Sequence, residues 1–169
     1  MSDPEVWLRG PIAGIPPFLQ PVAHSLLQCR NEVRETLPSL IGDQLWARPS
    51  NAGSAAFHAR HAMGSLDRLF TYARGEQLSR EQLAALAVEK ERDPALNAKH
   101  LVAAFDAAVE RALAQLRTTD ERTLLESREV GRGRLPSTVI GLLFHAAEHT
   151  QRHVGQLVTT AIVVRGGAR

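Results

Sequence analysis

Between Pro136 and the Gly166-Gly167 pair, the chain runs from Ser137 to Val164 without a proline. As an α-helix this segment is roughly 40 Å long at ~1.5 Å per residue. A helix of that length must bury its apolar side against other long elements, and the rest of the chain offers them as helices.

Val22, Leu26, Cys29, Val33 and Leu37 recur at spacings of three and four, which predicts a helix from about Pro21 to Leu37. Proline is tolerated in such a first turn. A second helix is predicted over about Gly53 to Arg74, with Ser50 or Asn51 as its cap and Gly75 as its stop. Ser79-Arg80-Glu81-Gln82 has the form of a capping box and opens a shorter helix to about Arg92. Asn97 caps the next, whose apolar stripe is Leu101, Phe105, Ala108, Ala112 and Leu116. Pro4, Pro11, Pro16 and Pro17 make residues 1–18 an irregular arm. Residues 38–51 and 118–136 read as loops, the latter with a short extended piece around 124–130. The expected fold is all-α: a four-helix bundle with a long crossover connection carrying an extra short helix. Residues 19–169 form its single domain.

The chain has 169 residues, 20 Lys+Arg and 18 Asp+Glu, a net charge of +2. No long basic run accompanies this balance, so nothing argues for a nucleic-acid groove. The lone Cys29 excludes an internal disulfide framework and a multi-thiolate zinc site. It falls in an apolar stripe and is a poor reactive thiol. No run of 18 apolar residues occurs, and the start, MSDPEVWLRG, lacks a signal-peptide pattern. The expectation is a cytoplasmic protein with no membrane segment.

Five of the seven histidines are clustered: His58 with His61, and His145, His149 and His153 in a row. A helical step of four gains only about 40°, so the row spans roughly 80° of arc. Leu142, Ala146, Gln156, Leu157 and Thr160 fall on the same side, which turns the row inward. A buried imidazole without partners costs roughly 1–3 kcal/mol. Two imidazoles at i and i+4 can share one metal ion, their Cβ atoms being about 6 Å apart. On the second helix, Ser54, Phe57, Ser65, Arg68 and Tyr72 share the face of His61. A histidine from that helix can complete a triad with two of the row. Three neutral imidazoles plus solvent make the open arrangement of catalytic zinc, and suit nickel or iron(II) as well. Such a metal lowers the pKa of bound water or thiol.

The run HAAEHTQRHVGQL, residues 145–157, resembles the terminal motif of the DinB-like (YfiT-like) metal-binding four-helix bundle superfamily. That motif is a histidine, three residues, a second histidine, then usually Arg-Gly-Gln and an aliphatic. FHARHAMGSLD, residues 57–67, resembles the family's second-helix signature. The resemblance spans about residues 20 to 164. It implies a divalent metal between helices, with His149 and His153 as the paired ligands and His61 as the third. His58, one turn earlier, competes with His61. Val154 stands where many relatives have arginine, so no role of that arginine carries over.

Family members include thiol-dependent S-transferases and isomerases that use low-molecular-weight thiols. The resemblance therefore implies a metal-dependent enzyme of thiol S-transferase or hydrolase type acting on a small molecule. Any thiol would come from a cosubstrate, and His145 or Gln156 would help place the substrate. The rival reading keeps the same histidine site in a metal-binding protein without turnover, such as a sensor or binding module. A third reading makes the histidines purely structural. A di-iron carboxylate bundle needs Glu-x-x-His pairs, and no glutamate stands three residues before a histidine.

Ile140, Phe144, Ala147, Val154, Val158 and Ala161 lie roughly opposite the histidines. One bundle interior is not expected to cover both sides of this helix. Either segment 79–92 or a second subunit packs there, and a homodimer is the expectation.

Overall fold

A computed structural model of the chain describes residues 4–166. Its helices are α1 Gln20–Thr36, α2 Ala55–Ala73, α3 Arg80–Val88, α4 Ala98–Thr118 and α5 Val139–Gly166. Two short strands, β1 Ser127–Val130 and β2 Leu135–Thr138, pair antiparallel. The fold is all-α, as the apolar periodicity predicts.

Both predicted stripes are the core. Leu26, Cys29, Val33 and Leu37 have no exposed surface, nor do Phe105 and Leu116. The four long helices pair in a ring: α1 against α4, α4 against α2, α2 against α5, and α5 against α1. Helices adjacent in sequence, α1 and α2 or α4 and α5, thus lie across the ring from one another. The connections are accordingly long. The α1–α2 link carries single 3-10 turns, the α2–α4 link carries α3, and the α4–α5 link carries the hairpin.

Helix α2 starts at a different cap from the expected one. Ser50 and Asn51 have φ of 49° and 61°, the left-handed region, and sit in a separate turn. Ser54 is extended, and its hydroxyl accepts from the Phe57 N–H at 3.1 Å. The later serine wins because it alone presents an oxygen to the free N–H groups of the first turn.

The expected loop at 118–136 ends in a hairpin that feeds α5. Ser127 lies opposite Thr138, and Val130 opposite Leu135. Val139 N–H donates to the Glu126 carbonyl at 3.2 Å and Ile140 N–H to that of Leu124 at 2.9 Å. These bonds fix the entry of α5. Pro136 obscures the strand in the sequence, yet a two-stranded ribbon has outer edges where a missing N–H costs nothing.

The second apolar side of α5 needs a correction. Ala147, Val154 and Ala161 are buried at 3%, 0% and 1% exposure, within the bundle itself. Helix α5 lies between α1 and α2, so one interior does reach around it. Segment α3 packs on α2 rather than on α5. Of that side, Phe144 remains exposed, and Ile162 and Val163 are exposed near the helix end.

The arm is tied down. Gln20 bonds Ile12 and Ile15 through its amide, and Ile15 joins the core. His24 is half-buried with Nε2 3.0 Å from the Gly10 carbonyl. No helix among the described residues is long and apolar enough to cross a membrane.

Candidate metal centre

The pairing of α2 with α5 brings the two histidine groups together. One ring nitrogen from each of His61, His149 and His153 lies within 4.8 Å of the others. Nε2 of His61 and Nε2 of His149 are 3.0 Å apart. The His153 ring centroid is 4.4 Å from that of His61 and 4.6 Å from that of His149. Tetrahedral zinc with Zn–N of about 2.0–2.1 Å places its ligand nitrogens about 3.4 Å apart. The His61–His149 separation is close to that spacing, and the 4.8 Å bound on the group of three admits it.

The orientation of each ring has a cause outside the cluster. Nδ1 of His61 is 2.6 Å from a Glu89 carboxylate oxygen. The carboxylate accepts that N–H, which leaves the Nε2 lone pair of His61 facing inward. Arg68 holds the other Glu89 oxygen at 3.4 Å. Gly64 makes room for this contact, since a Cβ there would lie 2.9 Å from an Arg68 nitrogen. Glu89 is 6% exposed. It follows the last turn of α3, which a second clamp docks on α2: Gln82 donates to Asp67 at 2.6 Å and to Thr71 at 2.8 Å.

His58 stands outside the group of three. Its Nδ1 is 3.1 Å from Nδ1 of His153. One of these two nitrogens carries the shared proton, and Nε2 of His153 is left for the centre. His149 has a buried Nδ1 with no partner. Among the described residues its one side-chain hydrogen bond is therefore the contact with His61 at the centre.

Burial holds His58, His149 and His153 below the ordinary imidazole range. Burial, followed by the neighbouring His61, lowers the pKa of His149 and of His58. His153 is pushed down to about 4, chiefly by burial and then by His61 and His149. Neutral imidazoles are what a metal ligand must be. Three imidazole nitrogens, converging without a carboxylate or thiolate among them, form a donor set that fits a divalent ion. All three residues are partly exposed.

The remaining histidines and the candidate substrate contacts fall elsewhere. His145 is exposed one turn before His149, its Nδ1 2.7 Å from Glu148. Gln156 is exposed one turn beyond His153. His100 lies at the surface, its Nδ1 3.1 Å from the Ala95 carbonyl. Tyr72 packs in the core. Cys29 is buried against Gln151, with its thiol pushed up to about 12 by burial and then by Glu32.

Glu89 is the residue that sequence reasoning missed. Its signal was faint: Gln82 and Glu89 are seven apart and so share the face of α3 that meets α2.

Comparison with curated proteins finds no match. The model of the DinB superfamily matches residues 4–157, which take in both histidine groups and all but the end of α5. The chain belongs to the DinB superfamily.

Proposed function

We propose that this chain is a metal-dependent enzyme of thiol S-transferase or hydrolase type, with His61, His149 and His153 holding a zinc, nickel or iron(II) ion. The observation that carries the reading is the convergence of three imidazoles with no fourth protein ligand among the described residues. A structural site would be closed by a fourth side chain, whereas a catalytic one keeps a position for water or substrate. When bound, the metal would lower the pKa of a thiol or water in that position.

The chain's own residues do the rest. Glu89 holds the proton of His61 on Nδ1, and His58 orients His153. His145 and Gln156 flank the row one turn to either side, and a small-molecule substrate over the open face would meet them. Cys29 is walled off, so the thiol comes from a low-molecular-weight cosubstrate. A second copy covering exposed Phe144, Ile162 and Val163 would make a homodimer.

Elemental analysis of purified wild type, His61→Ala and His149→Ala tests the centre. About one equivalent of a transition metal in the wild type, lost in both variants, is expected. Equal contents in all three refute it. Full metal content with no turnover of any thiol or ester substrate would leave a metal-binding protein without catalysis.

A further inference from the structure

Beside the histidine centre is a cavity of about 280 Å³ lined by Arg48, Gly53, Ser54, Phe57 and Lys90. Phe57 is the wall that the two share. Its ring stacks on His61 with centroids 5.5 Å apart and planes at 22°, and its centroid is 6.5 Å from that of His153. Gly53 closes the wall against His58, for a Cβ there would lie 2.7 Å from His58 Nε2.

The charge of this cavity is one-sided. Arg48 and Lys90 are both exposed, and neither has a carboxylate within ion-pair distance among the described residues. Arg48 donates only to backbone, to the Ala52 carbonyl at 3.2 Å and the Asn51 carbonyl at 3.4 Å. Its guanidinium is thereby held in place with its charge unanswered. Most other arginines near the bundle surface do find acids, as Arg34 finds Asp106 and Arg152 finds Glu148. Two unanswered cations on one small cavity are a site for an anion.

We propose that this cavity holds the anionic end, carboxylate or phosphate, of a small molecule whose reactive end reaches the histidine centre past Phe57. The volume lies just below the range of about 300–1,000 Å³ typical of drug-sized ligand sites and suits the end of a small molecule. The reactive end rests on the metal reading above; recognition of the anion does not.

Two titrations on the full chain separate these claims. Calorimetry of the metal-free protein with succinate and with inorganic phosphate reads the cavity alone and says which anion it prefers. Binding of either anion by wild type, and about tenfold weaker binding for each cation removed, is expected in Lys90→Gln and in Arg48→Gln/Lys90→Gln. No binding of either anion by wild type, or equal binding by the double variant, overturns the proposal. The cobalt(II)-loaded protein is then titrated with mercaptosuccinate and with 2-mercaptoethanol. Expected is a loss confined to mercaptosuccinate in the variants, with cobalt content unchanged; equal losses for both thiols overturn the link to the centre. A chain that takes up no cobalt sinks the metal reading, while the succinate and phosphate titrations still decide the anion site. Lys90→Gln leaves the Arg48 props of residues 51 and 52 intact, so it serves where the double variant does not fold.

Discussion

The carboxylate of Glu89 lies 2.6 Å from Nδ1 of His61, on the far side of the imidazole from the nitrogen that faces His149. One proton is thereby assigned. A short helix with a mostly exposed surface thus reaches into the candidate centre through a single residue. Glu89→Gln removes the negative charge and keeps an oxygen to accept the N–H. It should weaken metal binding by about 10- to 100-fold with little change in fold, since a carboxylate behind a ligating histidine raises its basicity. Competition with a zinc chelator measures this. Unchanged affinity would show that the contact merely docks α3.

Gly53 makes a second, steric prediction. An added Cβ would lie 2.7 Å from both His58 Nε2 and a Phe57 ring carbon, too close for either to stay. Rings have no flexible tip to swing aside, so His58 must leave its partner on His153. Gly53→Ala should cost about 1–3 kcal/mol by overpacking and weaken metal binding as well. Urea denaturation of the metal-free variant gives the first number, and the chelator titration the second. A variant as stable as wild type would mean that the α2 entrance is softer than its packing suggests.

The contrast between these partners and the ligands explains what the sequence could disclose. The stripes of α1 and α4 were legible because a one-sided burial writes a period of three and four into a single segment. Within-helix spacing likewise exposed the row of His145, His149 and His153, while the resemblance to the DinB-like motif singled out the last two as the ligand pair. What lies between segments left little trace. Whether His58 or His61 joins the row depends on the rotation of α2 against α5, and here the ring of His61 meets the row while His58 backs His153. Glu89 depends on how α3 docks. Burial of Val154 and Ala161 depends on α5 having neighbours on two sides, which a helical wheel with one interior does not anticipate. The hairpin was hidden for a local reason: Pro136 and the glycines at 131 and 133 argue against strands, and two strands with free outer edges tolerate both.

Acid should destabilise the metal-free protein. His153 is pushed down to about 4 by burial and its histidine neighbours, from an ordinary value of 6.5. His58 and His149 are lowered for the same first reason. Between pH 6.5 and 4 the unfolded chain therefore binds protons that the folded chain refuses. The contribution of these neutral rings is complete above pH 6.5 and is lost as the pH falls through that window. The urea midpoint should fall steadily from pH 7 to pH 4.5, and less steeply in His153→Gln. A midpoint flat over this range, or one that rises on acidification, would contradict neutral rings at the centre.

Cys29 supplies a negative control for any thiol chemistry. Its side chain has no exposed surface, its Sγ–H donates to Gln151 at 3.2 Å, and burial holds the thiol at about 12. The thiolate is the reactive form, so both access and ionisation stand against reaction in the folded chain. A chromogenic disulfide reagent at pH 8 should leave the native protein unlabelled and modify it rapidly in urea. Cys29→Ser keeps a donor for Gln151 at the cost of a small change in volume, and should preserve metal content and any thiol-dependent turnover. Rapid labelling of the native state, or loss of turnover in Cys29→Ser with metal content intact, would move the nucleophile from a cosubstrate to the chain and so would require the α1–α5 contact to open.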